Sequence, residues 1–138
     1  MASRNTVLTG FLLALGVAVP VVLAVEAAHQ PTCDRECLIA ATGSYLDAML
    51  THNAAALKVT ADVRVSENGK PIGLGEGLWK TAKAIPSRQI FADASAGEAG
   101  FFGMVAEENG ERAELAVRLK LRGQRIEQIE TLVSPEAR

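Results

Sequence analysis

The chain is 138 residues long, 49% apolar and 22% charged, with a formal net charge of −2. So near-neutral a chain has neither the basic field that nucleic acid requires nor an acidic tail, which excludes polyanion partners as a class. The apolar residues are unevenly placed: 18 of them fall in residues 1–27, and the remainder has ordinary globular usage, enough to close one core.

Arg4 precedes an uncharged run from Asn5 to Val25, and Val25-Glu26-Ala27 forms a small-x-small cleavage pattern before Ala28. This predicts a secretory signal peptide over 1–27, followed by a single α+β domain over 28–138. An N-terminal anchor is the alternative, because the run approaches the ~20 residues needed to cross a bilayer. Pro20 and the lack of a following Lys/Arg cluster favour cleavage. Either way the domain is expected to be exported, periplasmic or secreted, touching a membrane only through an uncleaved leader.

Cys33 and Cys37 are the chain's two cysteines. In an oxidising compartment an even count favours a disulfide, and a four-residue spacing keeps the Cα atoms within bridging range if the first helical turn is distorted. Free thiols are the second reading. Without further Cys nearby the pair is a poor metal site, and no metal is expected.

Thr32 is positioned to cap a helix beginning near Asp34, in which Cys37, Leu38, Ala41, Tyr45, Ala48, Met49 and His52 share one face. Asn53 ends it, and Ala54 to Val59 reads as a short second helix. Val63 and Val65 then alternate with polar neighbours before Asn68-Gly69, a strong hairpin signal with Ile72 and Leu74 on the return strand. Gly75-Glu76-Gly77 breaks the pattern ahead of one or two helical turns over Leu78 to Lys83, carrying Trp79. Longer strands follow at Gln89 to Ala94, Gly100 to Ala106, Glu111 to Arg122 and Arg125 to Val133, the last two joined by Gly123-Gln124. The expected architecture is a helical hairpin packed in a strongly curved, mainly antiparallel sheet, with the glycines at 97, 100 and 103 suited to bends.

The run from Tyr45 to Asn53, then Ala56-Leu57 and Ala61-Asp62-Val63, resembles the opening of the nuclear-transport-factor-like superfamily, which includes SnoaL-like polyketide cyclases and ketosteroid isomerase. Asn53 stands where Asp is commoner. Together with Cys33 to Leu38, Glu67-Asn68-Gly69, Gly75 to Trp79, Phe91-Ala92-Asp93 and Ile129 to Val133, the pattern is similar to an uncharacterised family of exported proteins of bacteria and fungi. The resemblance covers residues 33–133. It implies a SnoaL-like cone whose deep end is a small-molecule cavity, used for isomerase, cyclase or lyase chemistry in some members and for binding alone in others.

The resemblance to ketosteroid isomerase implies that Tyr45 donates to an oxyanion; the plainer reading is a core tyrosine. Asp93 shares a strand face with Phe91 and would be a proton-shuttling carboxylate if that face were apolar, or else the cap of the turn after it. Periodicity leaves the direction of Glu130 open. His52, seven residues after Tyr45, is either a base or a helix-end residue. Tyr45, Trp79, Phe91, Phe101 and Phe102 are the aromatics left after the leader and the natural candidates for pocket walls. The chain has no GxSxG, no HExxH and no nucleotide loop, so neither a hydrolase, a metalloenzyme nor any cofactor is expected. Three functions remain. They are binding of a small, mostly apolar molecule without turnover, cofactor-free catalysis using Asp93 or Glu130 with Tyr45, and pairing of two copies through the outer sheet face.

Overall fold

The computed structural model describes residues 32–136. The leader 1–27 lies outside them; among the described residues no helix is long and apolar enough to cross a membrane. Helix α1 spans Arg35–Leu50. Its cap is Asp34 and not Thr32: Asp34 has extended backbone, and its carboxylate accepts the Cys37 N–H at 2.9 Å. An N-cap side chain reaches the third helical residue, which Thr32 is two positions too early to do. Cys33 and Cys37 form the disulfide, with Cα atoms 5.2 Å apart. Because Cys33 precedes the helix, the bridge ties a residue outside the helix to its first turn and avoids the parallel Cβ directions of a mid-helix pair.

At the other end Asn53 N–H donates to Ala48 O and His52 N–H to Met49 O, with His52 at φ 51. This paired pattern closes α1 with a left-handed residue. The second arm of the expected helical hairpin shrinks to a single 3-10 turn, Ala54–Ala56. Val59 is already paired with Ile126, so the β-branched Val59 and Thr60 are drawn into the sheet.

Strand β1 (Val59–Glu67) turns at Asn68-Gly69 into β2 (Lys70–Pro71). The return strand is shorter than expected and comes earlier, because Pro71 lacks the donor that a continuing ladder needs; Ile72 N–H still reaches Val65 O at 3.1 Å. A 3-10 turn at Gly77–Lys80 carries Trp79, and the chain then pairs as β3 (Ala82–Ala84) instead of continuing as helix. There follow β4 (Gln89–Asp93), β5 (Glu98–Glu107), β6 (Arg112–Arg122) and β7 (Arg125–Pro135).

The sheet runs β2-β1-β7-β6-β5-β3, with β4 also on β5. Every pairing is antiparallel except β1 with β7, which is parallel and joins the first strand to the last. Along β6, Ala113, Leu115, Val117, Leu119 and Leu121 are buried, while Arg112, Glu114 and Arg122 face solvent. That alternation gives the sheet a core face and an outer face. Helix α1 lies on the core face with contacts to β3, β4 and β5, burying Leu38, Thr42, Tyr45, Leu46 and Met49 against Val105, Leu115, Leu119 and Ile129. At Gly103 an added Cβ would lie 2.7 Å from Phe101 Cζ, so the phenyl ring folds over a position that only glycine leaves open. Arg35 donates to Ala92 O at 2.8 Å, occupying a backbone acceptor of β4.

Candidate functional site

Two regions carry the residues that sequence reasoning singled out as catalytic or ligand-binding, and a third is a cleft it did not anticipate. The first is the core. Tyr45, 1% exposed, accepts a hydrogen bond from Trp79 Nε1 at 3.1 Å, and the two rings meet edge to face with centroids 5.5 Å apart. Burial pushes the Tyr45 hydroxyl up to about 12; the Trp79 donor opposes the rise and the Glu67 charge adds to it. Phe101 is buried in the same core. Tyr45 is therefore enclosed among side chains with its oxygen engaged by Trp79, so the plainer reading of a core tyrosine describes its surroundings.

Sequence reasoning missed Glu67. It follows Val63 and Val65 at period two, which places it on the core face of β1, and that alternation was a usable signal. Its Oε2 accepts the Leu78 N–H at 3.1 Å, and an added Cβ on Gly77 would lie 2.5 Å from Oε1. Glycine at 77, with φ +67, lets the carboxylate seat against the turn that carries Trp79.

The second region is the outer face. Asp93 accepts from Ser95 Oγ at 2.6 Å, from Ser95 N–H at 2.9 Å and from Ala96 N–H at 3.2 Å. These donors, the Ser95 hydroxyl first, hold its carboxyl below the usual range. The apolar setting and raised pKa considered for it are not found, because β4 turns this face to solvent; Asp93 is the cap of the turn over 94–97. Glu130 also points outward, where Arg118 Nη1 donates to it at 2.9 Å and Gln128 Nε2 at 2.6 Å. Arg118 holds Glu98 through two further bonds and lowers its pKa. Phe91 and Phe102 are 57% and 52% exposed, and Leu132 is 64% exposed. Phe102 pairs across the ladder with Ala116, and Ala116 with Leu132, so these three form one stripe. The five aromatics thus do not line one pocket: Tyr45, Trp79 and Phe101 face inward, while Phe91 and Phe102 occupy the opposite surface. His52 has left the helix face of Tyr45 through its left-handed backbone, is exposed, and stands 3.8 Å from Glu108 Oε1.

The third region is a cleft of about 240 Å³ between α1, the segment after the 3-10 turn and the start of β7. Ala41, Leu57 and Ile126 form its apolar lining, with Cys37, Ala40 and Ala56; Ser44, Lys58 and Gln124 are its polar members. Ile126 N–H donates to Lys58 O at 2.9 Å, tying two of its walls together. The disulfide fixes the third, because Cys37 belongs to the lining. The cleft contains no carboxylate. Among the described residues no group of three His, Cys, Asp or Glu side chains could hold a metal.

Comparison with solved structures places the fold. A protein of unknown function with a cystatin-like fold from Methylobium petroleophilum PM1 superposes with a TM-score of 0.62 at 15% identity, covering 78% of this chain and 82% of that one. A candidate ketosteroid isomerase from Kribbella flavida gives 0.57 at 18% identity over 77% and 83%. A candidate polyketide cyclase from Xanthomonas campestris pv. campestris gives 0.56 at 12% identity over 71% and 90%. The chain has the SnoaL-like and ketosteroid-isomerase-like α+β cone fold, here with one helix on a strongly curled mixed sheet. No curated protein matches the sequence. A family model described as "Domain of unknown function (DUF8021)" matches residues 32–133.

Proposed function

The chain belongs to this DUF8021 family, and we propose that it serves there as an exported domain that binds a small, mostly apolar molecule without turning it over. The observation that carries the reading is the cleft beside α1, which joins an apolar lining to a few polar groups at fixed positions, the composition of small-molecule sites generally. Its volume of about 240 Å³ suits a small molecule. Proton-transfer catalysis requires its acid and base to reach one substrate. Tyr45 is enclosed in the core, whereas Asp93 and Glu130 lie on the outer face. A disulfide persists in oxidising compartments, which supports export to a periplasm or medium.

Native mass spectrometry of protein purified from its own export compartment tests this reading, with Ala40→Trp as the control. Ala40 is an exposed member of the lining, so the indole would fill the cleft without entering the core. The expected result is a retained small molecule on the wild type and none on the variant. A wild type that retains nothing, and that shows no chemical-shift change with apolar fragments, would overturn the reading.

The exposed stripe Phe102, Ala116 and Leu132, with Phe91 nearby, favours a second reading in which two copies pair through this face. Three large apolar side chains more than half exposed on one sheet face are an association signal. Sedimentation should give a dimer for the wild type and a folded monomer for Leu132→Asp; a wild type that is monomeric at high concentration removes the idea.

A further inference from the structure

Of the nine residues lining the cleft, one is charged, Lys58. Among the described residues every arginine side chain is held by a carboxylate, a backbone carbonyl or a side-chain amide. Lys58 has no such partner. Its main chain is nonetheless fixed at the cleft wall, since its carbonyl accepts the Ile126 N–H. The cleft wall therefore combines an apolar lining with one lysine that no carboxylate holds.

We propose that the cleft takes an aliphatic carboxylate, its hydrocarbon chain against Ala41, Leu57 and Ile126 and its anionic head on the Lys58 ammonium. This rests on the reading of the cleft as a ligand site and names the ligand's class. A cationic ligand would meet like charge and no carboxylate to offset it. A neutral one would gain the apolar contacts alone. An anion gains both, and its bond to the ammonium is charge-assisted. Gln124, also in the lining, offers an amide N–H to the second carboxylate oxygen. Ser44 spends its hydroxyl proton on Ala40 O at 2.9 Å, so it offers an acceptor and suits a hydroxyl substituent better than the carboxylate itself. Hexanoate is a short representative of this class.

The test is a titration of isotope-labelled protein with hexanoate, 1-hexanol and hexylammonium at neutral pH, read from the amide shifts of Ala41, Leu57 and Ile126. The expected result is that hexanoate binds about tenfold more tightly than hexanol and hexylammonium more weakly than either. Lys58→Met should bring hexanoate down to the level of hexanol, and Lys58→Arg should keep the preference. Lys58 is exposed, so the variants keep the fold, and their spectra verify it. Equal affinity for hexanoate and hexanol in the wild type would overturn the carboxylate assignment while leaving a ligand-binding cleft. Failure of all three probes to shift these amides would overturn the cleft reading as well.

Discussion

Tyr45→Phe removes one oxygen from the core and leaves the ring in place. Trp79 Nε1, which donates to that oxygen at 3.1 Å in a residue only 5% exposed, then has no acceptor. A buried donor left unsatisfied costs about 1–3 kcal/mol, and the edge-to-face ring contact survives, so the loss should fall in that range. For a domain of this size it corresponds to a fall in Tm of roughly 4–8 °C per kcal/mol. Urea unfolding followed by the fluorescence of Trp79, the one tryptophan, measures it directly. The same variant carries a pH signature. With the Tyr45 hydroxyl raised from 10.0 to about 12 in the folded protein, the native state keeps its proton where the unfolded chain has lost it. The stabilisation is complete below pH 10 and is lost as pH rises towards 12, a change of about 3 kcal/mol that Tyr45→Phe lacks. Tyr45 is also the one tyrosine, so tyrosinate absorbance titrates it alone. Unchanged stability in Tyr45→Phe, or ionisation of native Tyr45 near 10, would refute the argument that its hydroxyl is enclosed and engaged by Trp79.

The position of the helix start gives a second measurement: Asp34→Ala should cost about 1 kcal/mol in urea unfolding, whereas Thr32→Ala should leave stability unchanged. Equal effects would contradict the assignment of the cap. Glu67→Ala frees the Leu78 N–H and loosens the turn holding Trp79, with an expected loss of about 1.5–3 kcal/mol and a red shift of the Trp79 emission. Gly103→Ala should cost about 1–3 kcal/mol, because the added methyl meets the buried Phe101 ring; a neutral result would show that the sheet relaxes there.

Much of the fold was legible because local signals agreed with the tertiary environment. The leucines of β6 alternate strictly, Asn68-Gly69 forms its tight turn with φ 49 and 75, and Gly123 turns β6 into β7. The differences have two causes, a distant strand partner and the reach of a local hydrogen bond. Ala54 to Val59 has reasonable helix propensity, yet pairing of Val59 with Ile126 ends the helical turn after three residues. The cap moved from Thr32 to Asp34 because hydrogen-bond reach to Cys37 decides a cap, and composition alone favours both residues.

The candidate site was less legible. Asp93 and Phe91 do share a face, as period two requires, but period two cannot say which face is the core. Composition made Tyr45, Trp79, Phe91, Phe101 and Phe102 a natural set; the sheet divides them between its two surfaces. The cleft is built from Ala41, Lys58 and Ile126, which lie far apart in the chain and carry no motif, so no spacing rule could have found it.

The sequence by itself determined the α+β class, the turns and the alternation of the long strands, and made a disulfide the first of two readings of Cys33 and Cys37, because each depends on residues within a few positions of one another. Only the tertiary structure decided that β1 lies parallel to β7, that Tyr45 is matched to Trp79 and that the one charged residue in the cleft lining is Lys58. Those facts depend on which segments meet across the curled sheet, and that is fixed by how the whole core closes, not by any local pattern.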